Sequence, residues 1–256
     1  MKMAAVFVSM AVLCAGGAGP VHAEPGQSLR WQGDFLIRYQ QDERERSSDS
    51  AHLKYRMRMG TLVTMNEELT FNMGFASGTG GNPRARTLSF GPSSGTTALY
   101  IDYAYADFTG TGIDGLVLLA GKMKNPLWQS HEILFDNDIT PEGFGLVYGD
   151  VCHPLFVTGG YFILSQTTAT LYNPNLSVIE VGSSHVFGNS VEAKGAISLL
   201  QTTNVKGQSL TYSSGSNSVS DRGLSSEYLT VVSDWQMIRK DLGLTAFGTY
   251  FQNVAV

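Results

Sequence analysis

Residues Gly115–Tyr148, GLVLLAGKMKNPLWQSHEILFDNDITPEGFGLVY, read as a strand, a long loop and a second strand. Gly115–Lys124 is a short apolar run flanked by turn residues, and Gly143 opens another. The insertion between them carries Glu132, Asp136, Asp138 and Glu142 beside Trp128 and Phe135. A connection this long inside a compact β protein is usually functional or disordered. Its aromatic content predicts that it is held against a surface.

Working outward, the same period of two recurs. Trp31, Gly33, Phe35, Ile37 and Tyr39 alternate with Arg30, Gln32, Asp34, Leu36, Arg38 and Gln40, giving a strand with one apolar and one polar face. Leu53, Tyr55, Met57, Met59 and Val63 alternate with His52, Lys54, Arg56, Arg58 and Thr64. After a tight turn at Asn66–Glu68, Leu69, Phe71, Met73 and Phe75 continue the pattern. Further strands are expected near 98–108, 115–124, 143–150, 154–166, 176–187, 190–201, 226–238 and 242–255, about eleven in all.

The connections alternate in length. Gly78–Thr97, Asn125–Glu142 and Thr202–Ser225 are long, whereas Thr109–Asp114, Asp150–Pro154, Gly188-Asn189 and Arg239–Asp241 are short. Short turns at one end and long loops at the other mark an outer-membrane barrel, and a soluble sandwich has no reason to alternate so regularly. The fold class expected is all-β, a transmembrane antiparallel β-barrel. An odd strand number cannot close a bacterial single-chain barrel, so the barrel is expected to be incomplete, with the chain truncated at its C-terminus.

Composition agrees. Charged residues make up 15 % of the chain, glycine numbers 29 and mean hydropathy is -0.03, as when apolar and polar alternates cancel. Lys2, the apolar run Ala4–Ala18 and Val21-His22-Ala23 form a secretory signal peptide over residues 1–23, cut before Glu24, with the barrel spanning 24–256. Cys14 suggests a lipoprotein, but Leu13 is too large for the position before the modified cysteine. Removing Lys2 takes the net charge from -5 to -6, against a nucleic-acid partner, which needs a basic surface. Only Cys152 would remain, so burial or membrane insertion must hold the fold together.

Several motifs resemble the putative porins of Gram-negative outer membranes. They are Trp31-Gln-Gly-Asp-Phe-Leu-Ile-Arg-Tyr, Lys54-Tyr-Arg-Met-Arg-Met-Gly, Tyr100-Ile-Asp-Tyr-Ala-Tyr, Gly121-Lys-Met-Lys-Asn-Pro and Phe135-Asp-Asn-Asp-Ile-Thr-Pro-Glu-Gly. The likeness is carried by their joint order over the first half of the chain. It implies a pore-forming barrel with more strands than this chain supplies, through which small hydrophilic solutes or ions diffuse passively, surrounded by outer-membrane lipid. It also brings a homotrimer into consideration, although no interface is visible in the sequence.

Under that reading the polar alternates Arg30, Arg38, Lys54, Arg56 and Arg58, with Lys122 and Lys124, line the lumen as a basic wall. The loop bearing Glu132, Asp136, Asp138 and Glu142 is the third surface loop, which in general porins folds inward. A basic wall facing an acidic loop would set a transverse field favouring small polar solutes; the alternative is that both are merely solvated faces. Aromatics such as Trp31, Tyr39, Tyr55 and Trp235 read as an interfacial girdle or as ordinary sheet packing.

Neither a catalytic set, a metal site nor a cofactor is expected. Gly91-Pro-Ser-Ser-Gly matches a nucleophile elbow without the helix that must follow it. Asp136-Asn-Asp-Ile-Thr-Pro-Glu starts like a calcium loop but has Pro141 where glycine is required. Cys152-His153 lacks a second ligand pair. The competing classes are a barrel enzyme of lipase or protease type, which needs a Ser/His/Asp set at one rim, and a soluble carbohydrate-binding β-sandwich, which needs polar outer faces.

Overall fold

The computed structural model describes residues 8–12, 28–42, 50–78, 86–90, 98–132, 135–136, 138–149, 154–166, 173–205 and 227–255. These form an all-β, antiparallel architecture with no helix among the described residues. The strands are β1 (Val8–Val12), β2 (Ser28–Asp42), β3 (Ser50–Thr64), β4 (Leu69–Ser77), β5 (Leu88–Ser89), β6 (Leu99–Phe108) and β7 (Leu116–Lys122). They continue with β8 (Glu142–Tyr148), β9 (Phe156–Ile163), β10 (Asn175–Phe187), β11 (Val191–Thr203), β12 (Tyr228–Arg239) and β13 (Leu244–Ala255). Hydrogen bonding follows chain order from β1 to β13, with β5 set aside against β3.

Eleven of the thirteen strands fall within a few residues of the periodicity reading. The other two are β1, inside the segment read as a signal peptide, and the two-residue β5, inside a segment read as loop. β1 pairs along β2, with Val8 opposite Tyr39 and Val12 opposite Phe35. The cleavage site at 21–23, the elbow-like Gly91–Gly95 and Cys152-His153 lie outside the described residues.

The chain divides into two compact units, Met1–Asn66 with Thr70–Ala104, and Glu67–Leu69 with Tyr105–Val256. In the first unit, register places Leu29, Trp31, Phe35, Ile37 and Tyr39 on the same face as Leu53, Tyr55, Met57 and Met59. That apolar face is largely exposed, with Trp31, Phe35, Ile37, Tyr39, Leu53 and Met59 all open. On the opposite face Tyr103 lies flat across two glycines. A Cβ on Gly74 would meet its ring at 2.3 Å, and one on Gly60 its hydroxyl at 2.2 Å, so only glycine admits the tyrosine there. Gln32 Nε2 donates to the Tyr103 hydroxyl at 3.2 Å, fixing the ring.

The second unit shows the same inversion of ordinary globular burial. On β10 and β11, Ile179, Val181, Ile197 and Leu199 are exposed while Val178, Glu180, Ser184, Ala196, Ser198 and Leu200 are buried. β8 alternates likewise, with Phe144 68 % exposed and Leu146 and Tyr148 open on its outward face. A soluble sheet hides its apolar alternates; these strands leave Ile179, Val181, Ile197 and Leu199 open and bury Glu180, Ser184 and Ser198. The polar outer faces required of a soluble sandwich are not found on β8, β10 and β11. Behind the inward face, Met123, Phe162, Leu176, Val178, Leu200 and Val232 form a small core, with Leu127 and Phe135 of the long loop packed against it.

Candidate functional site: a loop latched to the inner face

The segment between β7 and β8 folds back onto the inward face of the second unit. Its base is closed where Met123 N–H donates to the Pro141 carbonyl at 2.8 Å. Just beyond, Asn125 Oδ1 accepts Leu127 N–H at 3.2 Å, an Asx turn that redirects the chain. Farther on, Asp136 Oδ1 accepts Asp138 N–H and its carbonyl accepts Ile139 N–H, each at 2.9 Å, forming a second turn. Gln129 ties the two arms together, donating through Nε2 to the Phe135 carbonyl at 2.8 Å and accepting Phe135 N–H at 3.3 Å. The loop is therefore folded on itself before it touches the sheet.

Two carboxylates of the sheet then hold it. Glu180, only 2 % exposed, lies on β10 directly opposite Ser198 of β11. One of its oxygens accepts Trp128 N–H at 2.9 Å and the other the Ser198 hydroxyl, also at 2.9 Å. Asp234, 6 % exposed on β12, accepts Ser130 N–H at 2.7 Å, the Ser130 hydroxyl, and the Thr249 hydroxyl of β13 at 3.1 Å. Buried carboxylates are tolerable only when their lone pairs are met by donors, and here the loop supplies main-chain amides that would otherwise need water. The Trp128 ring meets Phe156 edge-on, centroids 6.2 Å apart, and the His131 ring stacks on Phe247 at 4.8 Å. A narrow crevice remains between loop and sheet, lined in part by Gln129, His131, Glu180, Asp234 and Thr249.

Of the acidic loop residues, Asp136 serves its own turn, Glu132 is exposed and Asp138 is half-buried. Glu142 opens β8 and pairs with Lys122 at 3.0 Å. Register puts Lys122 on the face of Leu116, Leu118 and Ala120, outward with Phe144, rather than with Leu119 and Gly145 beneath the loop. Its ammonium also donates to the Thr140 carbonyl at 3.3 Å. Lys124 lies past the end of β7 and is exposed.

In the first unit, Arg30, Arg38, Lys54, Arg56 and Arg58 do share one face of β2 and β3, opposite the exposed apolar face. Asp34 lies among them, its carboxylate 3.2 Å from Arg56 Nη2 and 2.5 Å from Arg58 Nε. Lys54 Nζ donates to Gln40 Oε1 at 2.9 Å.

Sequence reasoning missed Glu180 and Asp234. The available signal was a lone acid in the middle of each otherwise apolar run, Leu176-Ser-Val-Ile-Glu-Val and Val231-Val-Ser-Asp-Trp. Among curated proteins none matches the chain. The family described as putative porin matches residues 35–229, a span that includes Arg38, Lys54, Arg56, Arg58, the latched loop and Glu180. The chain therefore belongs to the putative porin family.

Proposed function

We propose that the protein is an outer-membrane channel through which small hydrophilic solutes or ions diffuse passively, the latched loop narrowing the water-filled path. The observation that carries this reading is the docking of the loop, through the buried carboxylates Glu180 and Asp234, on an inner face whose opposite face exposes Ile179, Val181, Ile197 and Leu199. Membrane lipid covers the apolar face, and the basic face of β2 and β3 borders the aqueous path. No covalent step is involved; selection is by size and charge. Residues 1–23 act as an export leader cleaved before Glu24, a step that bares the β2 edge now paired with β1 and that intact-mass measurement of the mature protein checks. Cross-linking in detergent tests whether the channel is a homotrimer.

The deciding experiment is planar-bilayer recording on protein extracted with detergent from outer membranes, under a salt gradient. Discrete conductance steps with an anion-favouring reversal potential are expected. Neutralising Arg56 and Arg58 together moves that potential toward cations. Release of the protein by a salt wash without detergent, and no steps, would overturn the proposal.

A further inference from the structure

The β2–β3 face has a geometry specific enough to name a ligand. Across the antiparallel register Asp34 stands opposite Arg58, Leu36 opposite Arg56, and Arg38 opposite Lys54, with Arg30 farther along the same face. From Arg30 to Gln40 and from His52 to Leu62, Asp34 is the sole acid against five permanent cations on that face. Its carboxylate spans two guanidiniums, one oxygen toward Arg56 and the other toward Arg58. The protein thus displays, in its own side chain, how an anionic oxygen pair is held by this arginine pair. Each guanidinium has five N–H donors in a rigid fork, more than one carboxylate can occupy.

Access points the same way. The Arg56 and Arg58 side chains are 26 % and 37 % exposed, so a solute can reach them. One step along the strands, Arg38 directly faces Lys54.

We propose that this face is a binding site for small oxyanions, solutes carrying two or more anionic oxygens such as inorganic phosphate and short dicarboxylates. Asp34 acts as the internal competitor that keeps their residence brief. Passage of such solutes through the protein rests on the channel reading above; the binding itself does not.

The test is calorimetric titration of the detergent-solubilised protein with succinate and, separately, phosphate at low salt, followed by bilayer recording of the same preparations. Saturable binding that weakens as potassium chloride is added is expected. Arg56→Gln with Arg58→Gln weakens it by about tenfold or more, and Arg38→Gln, which leaves the Asp34 bridge intact, weakens it less. Asp34→Asn should tighten binding several-fold by removing the competing negative charge from between the two guanidiniums, a gain that a purely structural role for Asp34 cannot produce. Absence of saturable binding, or equal affinity in the wild type, Asp34→Asn and the arginine variants, overturns the site. Conductance steps without succinate or phosphate binding leave the channel standing and remove the site; binding that responds to the variants without conductance steps does the reverse.

Discussion

Replacing Asp234 with alanine should release the loop. Asp234 receives both the amide and the hydroxyl of Ser130, so the substitution deletes two of the three hydrogen bonds that run from the loop to the buried carboxylates. Hydrogen bonds to a charged partner contribute about 1.5–3 kcal/mol each when that partner is removed. Losing two therefore lowers the free energy of local opening by about 3–6 kcal/mol, toward the lower end where water reaches the freed amide. At about 1.4 kcal/mol per tenfold, amide exchange at Ser130 accelerates by about 10²–10⁴-fold if opening limits it. Trp128 N–H keeps its bond to Glu180 and should accelerate less. Asp234→Asn retains one acceptor oxygen without the charge and should fall between wild type and alanine. The assay is hydrogen exchange with mass spectrometry on peptides covering residues 125–132, with heat-modifiable gel mobility confirming that the sheet is intact. Unchanged exchange at Ser130 in a folded Asp234→Ala protein would refute the latch.

Gly74→Val places its Cβ against the Tyr103 ring and displaces the hydroxyl from Gln32. A loss of about 1–3 kcal/mol in urea unfolding is expected, with partial recovery when Tyr103→Ala is added, and full additivity of the two changes would argue against the contact. Ile197→Arg puts a cation on a side chain that is 60 % exposed on the outward face of β11. If lipid covers that face, folding into vesicles should cost about 2–4 kcal/mol for a residue near the midplane; an unaltered folding yield would count against lipid contact. Trp128→Ala keeps the amide bond to Glu180 but loses the edge contact with Phe156, so peptide 125–132 should exchange faster than wild type and slower than Asp234→Ala.

The strands were legible because a half-exposed strand writes its two faces into alternate positions, as Trp31 to Gln40 does. β5 was not legible, because two residues cannot display a period; it is positioned by Tyr55 and Lys54 of β3, to which only the three-dimensional register joins it. The basic residues of β2 and β3 were readable as one face since every polar alternate there contrasts with an apolar one. Lys122 lacked that contrast. Leu116-Val-Leu-Leu-Ala is apolar at both parities, so nothing in the run says which side faces inward. The loop was recognisable as held from its aromatics, but its anchors were not. Glu180 and Asp234 lie 52 and 104 residues from their loop partners, and only the pairing of β10 through β12 brings them to one surface.

Among the described residues, the loop's hydrogen bonds to the two buried carboxylates come from main-chain amides, with the Ser130 hydroxyl as their one side-chain contribution. Amides are present whatever residues the loop carries, so this part of the attachment is chemically separable from the side chains the loop displays. Glu132 and Asp138 make no bond to Glu180 or Asp234, so replacing them leaves the hydrogen bonds of the latch in place. The sheet thus serves as a reusable mount. For an engineer this makes the segment a cartridge, held by the sheet through bonds that do not depend on which side chains it displays at Glu132 and Asp138.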